Sequence, residues 1–181
     1  MPIIHATNYG KLYGILTGRR TVSADEKQFL QDTLNPKGKT FATVKENVAD
    51  DPHRSTVIDY GVVEAVFPDD TSGTKHQLFN LRTEDGFLVK VAHNITLAPR
   101  VPDLKKGNPL GIKGDFIPRD ELLRLPLPDD LEIGDVKKFL KDPAITGLLH
   151  WTHRPTSSNP KHENGGIVVF TPGSDYEKVC Q

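Results

Sequence analysis

The stretch HQLFNLRTEDGFLVKVAHN, residues 76–94, decides the fold class of this chain. Its two arms are rich in β-branched and aromatic residues, and EDG at 84–86 is a tight-turn signal, so the stretch predicts a β-hairpin. Side chains alternate between the two faces of a strand, and this places four residues in one core-facing row. That row consists of Phe87, Val89, Val91 and His93. We expect His93, its last member, to emerge at the end of the sheet.

Further strand patterns lie on both sides of the hairpin. STVIDYGVVEAVF (55–67) precedes it, with Gly61 as a predicted bulge or bend and PDDTSG (68–73) as a turn. GIKGDFI, GLLHWTH and IVVFT follow it. A helical insertion at about 119–146 contains a short helix around Val136 and Phe139. Five or six short strands with one insertion predict a mainly β fold, a small OB-like β-barrel.

The predicted organisation is one β-barrel domain, residues 55–181, preceded by an N-terminal extension, residues 1–54. Ser23 and Glu26 form a capping-box pattern, so the extension is expected to be part-helical and packed on the barrel. A chain of 181 residues fits a single domain with a real core.

Composition and charge exclude several classes of protein. The net charge of -1 argues against a uniformly basic nucleic-acid binder, so contact with a polyanion would need a local patch. Cys180 is the single cysteine, which excludes an intrachain disulfide and a Cys-rich metal site. The N-terminal residues lack a secretory-signal pattern and no stretch approaches ~20 apolar residues, so a cytoplasmic protein without a membrane partner is expected.

Polar residues that could take part in catalysis or binding concentrate at strand ends and in loops. In a barrel, these positions surround the open end, where binding sites form. Taken singly, each has a structural interpretation as well: Asp in a turn, a hydrogen-bonded half-buried His, a surface Arg, a core Trp. Together they supply the groups that hydrolyse a phosphate ester, namely imidazoles, carboxylates and an arginine.

The pair His150 and His153 could share a metal ion if both faced the same way. On a strand, positions i and i+3 face opposite sides because the side-chain period is two. A shared metal would therefore require the strand to end or bulge near Thr152, and Pro155 makes an early end plausible.

These residues resemble the three sequence blocks of domain of unknown function 3465, a family of small uncharacterised bacterial proteins. The blocks are PDDTSGTKHQLF (68–79), VAHNITLAPRVPDLKKG (91–107) with GDF (114–116), and GLLHWTHRP (147–155). The resemblance spans roughly residues 57–170 and leaves the first 54 residues outside. It implies no assigned activity, but it implies that one pattern contains Asp69, Asp70, His76, Gln77, His93, Asn94, Arg100, His150, Trp151, His153 and His162.

Two departures from the family are visible. The family runs to the third block through a short turn, whereas this chain inserts about thirty residues. The family also places a histidine and an aspartate before the proline where this chain has Arg154-Pro155.

The leading hypothesis is a metal-dependent phosphodiesterase or nuclease acting on nucleic acid at a His-rich barrel mouth. The expected cofactor is a divalent metal ion, Mg, Mn or Zn. Either His76 or His93 would be the general base, with Asn94 beside it, and Arg100 would steady the phosphate. Gln77 and Trp151 would contact substrate. The predicted metal ligands are Asp70, His150, His153 and His162.

Two other hypotheses remain open. One is a non-catalytic OB-like module that binds single-stranded nucleic acid or a small ligand, with Trp151, Phe79 and Arg100 as stacking and clamping groups. In the other, the histidines form a structural metal site that stabilises loops. The sequence carries no signal for an oligomeric state.

Overall fold

The computed structural model describes residues 3–5, 40–46, 55–124, 136–153, 156–158, 160 and 165–169. Most of these residues lie in strands, which confirms the mainly β class. The strands are β1 (Ile3–His5), β2 (Ser55–Asp70), β3 (His76–Thr83), β4 (Leu88–Asn94), β5 (Pro109–Pro118), β6 (Ile145–His150) and β7 (Gly166–Val169). The helices are α1 (Phe41–Glu46), α2 (Arg119–Leu123) and α3 (Val136–Phe139).

Five strands form a closed ring in the order β2-β3-β4-β6-β5, because β5 pairs with both β6 and β2. All pairs in the ring are antiparallel except β4 and β6, which run parallel. β7 pairs with the other side of β5, and β1 pairs with β7. In ring numbering the order is 1-2-3-5-4, the strand order of a five-stranded Greek-key barrel of the OB type.

The inside of the ring is an apolar core, and α1 closes part of it. Phe41 of α1 is fully buried, and its ring packs edge-on against Phe116 of β5 at a centroid distance of 5.0 Å. The backbone N–H groups of Phe41 and Tyr60 donate to the carboxylate of Asp59 at 3.2 and 2.7 Å. Burial raises the pKa of Asp59, although these two hydrogen bonds oppose the rise. The helix is thereby fixed to β2, which confirms a helical part of the extension.

A second apolar cluster covers the outer face of the sheet, where the helical insertion folds back. Leu122 of α2 and Val136 of α3 pack against Leu88 and Leu148, which point out of the ring. The guanidinium of Arg119 donates to three backbone carbonyls of the insertion, at Leu140, Asp142 and Ile145. Both faces of β4 are therefore buried, and the described helices of the insertion cover its outer face.

Three predicted local features were wrong. The first strand continues to Asp70, so PDD belongs to β2 and the turn follows at residues 71–75. The irregularities in β2–β3 pairing lie at Val63–Ala65 and Phe67–Asp70, so a bulge at Gly61 was wrong, whereas a bend there stays a prediction. His93 does not emerge at the end of the sheet, because Thr152 and the backbone at residue 99 cover it; it is 0% exposed.

Two further predictions concern the N-terminal extension and membrane-spanning helices. The Ser23–Glu26 capping box lies outside the described residues. No helix in the described part of the chain is long and apolar enough to cross a membrane.

Candidate functional site

The predicted site residues within the described ranges lie at one end of the ring but are divided between its faces. Gln77 pairs across the sheet with His93, and their neighbours His76 and Asn94 pair with each other. Since neighbouring residues of a strand face opposite sides, Gln77 and His93 point into the ring whereas His76 and Asn94 point outward. β6 runs parallel to β4, so His150 at its end lies at the same end of the ring.

His93 is the centre of a buried hydrogen-bond cluster inside the ring, the His93 cluster, made of His93, Thr152, Gln77 and the backbone of 99–101. The Nε2 of His93 donates to the carbonyl of Pro99 at 3.1 Å, because a carbonyl can only accept. Its Nδ1 then accepts the hydroxyl of Thr152 at 2.6 Å. The Gln77 amide exchanges two hydrogen bonds with the Val101 backbone, both 3.0 Å long. These bonds tie the 99–101 loop and the end of β6 to the sheet.

Burial lowers the pKa of the His93 imidazole to about 4. The hydrogen bond to Pro99 opposes this, and the charges of His153, His76 and Arg100 lower the pKa of His93 further. The imidazole is neutral at pH 7, and both its ring nitrogens are engaged. Its two hydrogen bonds link β4 to Thr152 and to the backbone at Pro99.

The outward-facing predicted residues form a second group around the turn that follows β2. The Nδ1 of His76 lies 4.0 Å from Oδ2 of Asp70, whose Oδ1 accepts the backbone N–H of Ser72 at 3.0 Å. Arg100 forms an ion pair with Asp69 and is about half exposed. Loop 95–101 is thus brought against the acidic end of β2, Asp69 and Asp70.

Asn94 shapes the turn after β4. Its side-chain oxygen accepts the backbone N–H groups of Thr96 and Leu97, at 2.9 and 3.2 Å. This is the local bonding by which Asn favours turns.

β6 ends within the HWTH stretch, and the two histidines of this stretch have different neighbours. β6 ends at His150, and Trp151 has a φ of +56°, a left-handed backbone conformation that a bulky residue rarely adopts. The strand therefore breaks one residue before the predicted position. His150 pairs across the sheet with the buried Asp115, whereas the His153 ring lies against the Trp151 ring at a centroid distance of 4.7 Å.

Metal binding by these residues stays a prediction. Within the described ranges, no three His, Cys, Asp or Glu side chains form a group suited to a metal ion. His162, one of the four predicted ligands, lies outside those ranges.

A cleft that sequence reasoning missed lies on the outer face of β3 and β4; we call it the outer cleft. It has a volume of about 570 Å³, within the usual range of small-molecule sites. One side is the end of β2 with Phe67, the opposite side is α3 with Phe139, and the floor is Asn80 and Lys90. Its lining comprises Phe67, Pro68, Asp69, Asp70, Ser72, Leu78, Asn80, Lys90, Lys138, Phe139, Asp142 and Ile145.

Lys90 is the unusual group of the outer cleft. The residue is 4% exposed, and its Nζ lies 3.3 Å from the centroid of the Phe67 ring and 5.8 Å from that of Phe139. Burial lowers the pKa of its amine to about 8. Among the described residues the amine has no hydrogen bond and no ion pair, and the buried Oδ1 of its cross-strand neighbour Asn80 accepts no hydrogen bond. The cleft floor thus offers one donor and one acceptor to a bound molecule.

The sequence contained a weak signal for this site. Lys90 interrupts the apolar row Leu88, Ala92 of β4, but a lysine on the outer face of a sheet is ordinary when that face meets water. The insertion covers that face, and this is why Lys90 is buried rather than exposed to water.

Comparison with protein families extends the resemblance drawn from the sequence blocks. A family model described as "Protein of unknown function (DUF3465)" matches residues 43–120. The matched range begins inside the extension, so the expectation that all of residues 1–54 lie outside the family pattern was wrong, and it ends before the HWTH block. No curated protein matches the chain. The resemblance to domain of unknown function 3465 is therefore confirmed for residues 43–120, the part of the chain that contains β2 to β5.

Proposed function

We propose that this protein is a small-ligand-binding module whose site is the outer cleft. The cleft lies on the outer face of β3 and β4, the second and third strands of the ring. In five-stranded barrels of the OB type, this face and its flanking loops are where ligands bind. Fold analogy alone is a weak argument, so the proposal rests on the lining of the cleft.

The observation that carries the proposal is the buried amine of Lys90 between two aromatic rings. Partial desolvation of the Lys90 ammonium costs free energy. A ligand oxygen that accepts a hydrogen bond from the amine in the cleft would recover part of this cost. The rings of Phe67 and Phe139 provide apolar surface for a planar body. A ligand with one carboxylate or carbonyl oxygen for Lys90 and a flat apolar body satisfies both features.

Charge distinguishes a compact ligand from a nucleic-acid strand. The two lysines that line the cleft, Lys90 and Lys138, face three carboxylates, one of which is already paired with Arg100. Those carboxylates are Asp69, Asp70 and Asp142. A polyanion is bound by rows of basic residues with few acids among them. The balance here supports a ligand with a single negative charge or none.

Benzoate, a planar ring with one carboxylate, is a direct probe of the outer cleft. We expect it to bind with a Kd on the order of 1 mM, about -4 kcal/mol, as suits a ligand of its size. Amide chemical-shift changes in an NMR titration should concentrate at β3, β4 and the turn at residues 71–75. The Lys90→Met variant should bind at least tenfold more weakly because it lacks the cationic donor.

The same variant supplies its own folding control. Removing a buried charge should leave the protein at least as stable as the wild type, with a gain of about 1 kcal/mol at pH 7. Lys105→Met, at an exposed lysine outside the cleft lining, should bind benzoate as the wild type does. Equal binding by Lys90→Met, or a single-stranded oligonucleotide that displaces benzoate with a steep salt dependence, would contradict the proposal.

Phosphodiester hydrolysis is the second candidate, and the observation that favours it is the His76–Asp70 pair beside Arg100. An imidazole next to a carboxylate can accept a proton, and an arginine in the adjoining loop can contact a phosphate. Between the two bases named from sequence, His76 is the better candidate because both ring nitrogens of His93 are occupied.

A cleavage assay tests this second candidate. Single-stranded DNA and RNA are incubated with the protein and Mg, Mn or Zn, with EDTA as the metal-free control. His76→Ala should lower the rate by about 100-fold or more, the usual contribution of a general base. An absence of cleavage with all three metals, or an equal rate in His76→Ala, would remove the enzyme hypothesis.

A further inference from the structure

We propose that Lys90 is a reversible covalent site for small aromatic aldehydes, which its amine captures as an imine. This inference rests on the proposed function, since it requires that small molecules enter the outer cleft. It adds a chemical reaction at one named atom, the Nζ of Lys90, to non-covalent binding.

The surroundings of the amine are those of a nucleophilic lysine. Lysine is inert as an ammonium, and carboxylates and water normally keep it in that form. The Nζ of Lys90 instead lies over the ring of Phe67, at 3.3 Å from its centroid, and no described carboxylate is within ion-pair distance of it. Lysines in apolar pockets are those that enzymes use for imine chemistry.

Three carboxylates line the cleft, those of Asp69, Asp70 and Asp142, and within the described part of the chain none forms an ion pair with the Lys90 amine. Asp69 is paired with Arg100, and Asp142 accepts a hydrogen bond from the backbone N–H of Ala144 at 2.9 Å. The face of Phe67 attracts the ammonium and offsets part of the effect of burial. With its pKa lowered to about 8, about a tenth of the Lys90 amine is neutral at pH 7.

The reaction balances without an oxidant or a reductant. The lone pair of the neutral amine attacks the carbonyl carbon, the C–N bond forms as the C–O π bond breaks, and a proton passes from the nitrogen to the oxygen to give a carbinolamine. Loss of water then gives the imine, and hydrolysis reverses both steps. Asn80 is directly opposite Lys90 in the β3–β4 pairing. Its buried Oδ1, which accepts no hydrogen bond in the structure, can accept one from the carbinolamine hydroxyl. The free aldehyde has no such donor.

Benzaldehyde with sodium cyanoborohydride tests the inference, because reduction converts the imine to a stable benzylamine. At pH 7 we expect one benzyl group per chain to form at least tenfold faster than labelling of any other lysine, and peptide mapping to assign it to Lys90. The ratio of Lys90 labelling to that of ordinary lysines should be largest at neutral pH and should shrink above pH ~8, because the Lys90 amine is then mostly neutral whereas ordinary lysines, with a pKa of ~10.4, are still gaining neutral amine. Lys105→Met should show the same fast labelling.

The Lys90→Arg variant separates this inference from the proposed function. It keeps a cation at the floor of the cleft, so it should still bind benzoate, but it cannot form an imine and should lose the fast labelling. Uniform slow labelling of all lysines in a wild-type protein that binds benzoate would overturn the inference and leave the proposed function intact. Failure to bind benzoate together with uniform labelling would overturn both.

Discussion

The Gly147→Ala variant is expected to lose about 3 kcal/mol of its free energy of unfolding, or to fail to fold. Gly147 lies in β6 between β4 and β5, where it pairs with Val89 and Pro118. A methyl group at this position would overlap the carbonyl oxygen of Ile117 and lie 2.5 Å from the ring of Phe116. Real side chains do not tolerate such distances, so the backbone or the ring would have to move.

Neither group can move easily. The ring of Phe116 packs against that of Phe41 inside the core, and the backbone at Ile117 belongs to the β5–β6 ladder that closes the ring. Relief of the overlap would weaken either the core or the closure of the ring, and this is why the expected loss is at the upper end for a single methyl group.

Urea unfolding followed by circular dichroism measures the effect, and Gly107→Ala is its matched control. Gly107 has a φ of +92° but open space around it, so alanine there should cost only the backbone term, about 1 kcal/mol. Equal losses in the two variants would mean that Gly147 is in fact tolerant of a side chain, and that the ring closes less tightly than described.

A second large effect is expected on acidification. The pKa of His93 is about 4 in the folded protein and ~6.5 in the unfolded chain. Between these values the unfolded chain binds more protons, so the free energy of unfolding falls as the pH falls. The shift corresponds to about 3 kcal/mol, which is fully available above pH ~6.5 and lost by pH ~4.

The His93→Gln variant isolates this contribution from other titrating groups. At pH 7 it should be about 2 to 3 kcal/mol less stable than the wild type, because the cluster with Thr152 and Pro99 is disrupted in a buried position. The gap should close as the pH approaches 4, since only the wild type loses stability through residue 93. A gap that stays constant from pH 7 to pH 4.5 in urea unfolding would show that His93 does not carry the acid sensitivity.

Much of the ring could be predicted from local sequence pattern. The EDG turn and the alternation on either side of it predicted β3 and β4, and the core-facing row Val89, Val91, His93 is fully buried. The insertion helix around Val136 was also predicted correctly. These features depend on residues that are near one another in the chain, and periodicity reports such relations directly.

The candidate site was predicted less well, because it depends on distant contacts. Period-two reasoning assigns Lys90 to the face opposite the core, and it cannot tell whether that face meets water or a folded insertion. It likewise cannot foresee that Thr152, fifty-nine residues from His93, seals the imidazole. The sequence indicated only that His150 and His153 could share a face if the strand ended near Thr152. It did not predict that the strand ends before Trp151.

By itself, then, the sequence determined the strand class, the hairpin and the face of each residue on β4, since these follow from the alternation of side chains along one strand. Tertiary structure alone decided that the ring closes through β5 and β6, that His93 is buried, and that Lys90 lies at the floor of a cleft. The physical reason is burial: the charge, pKa and reactivity of a side chain depend on what covers it, and what covers Lys90 and His93 comes from segments far along the chain.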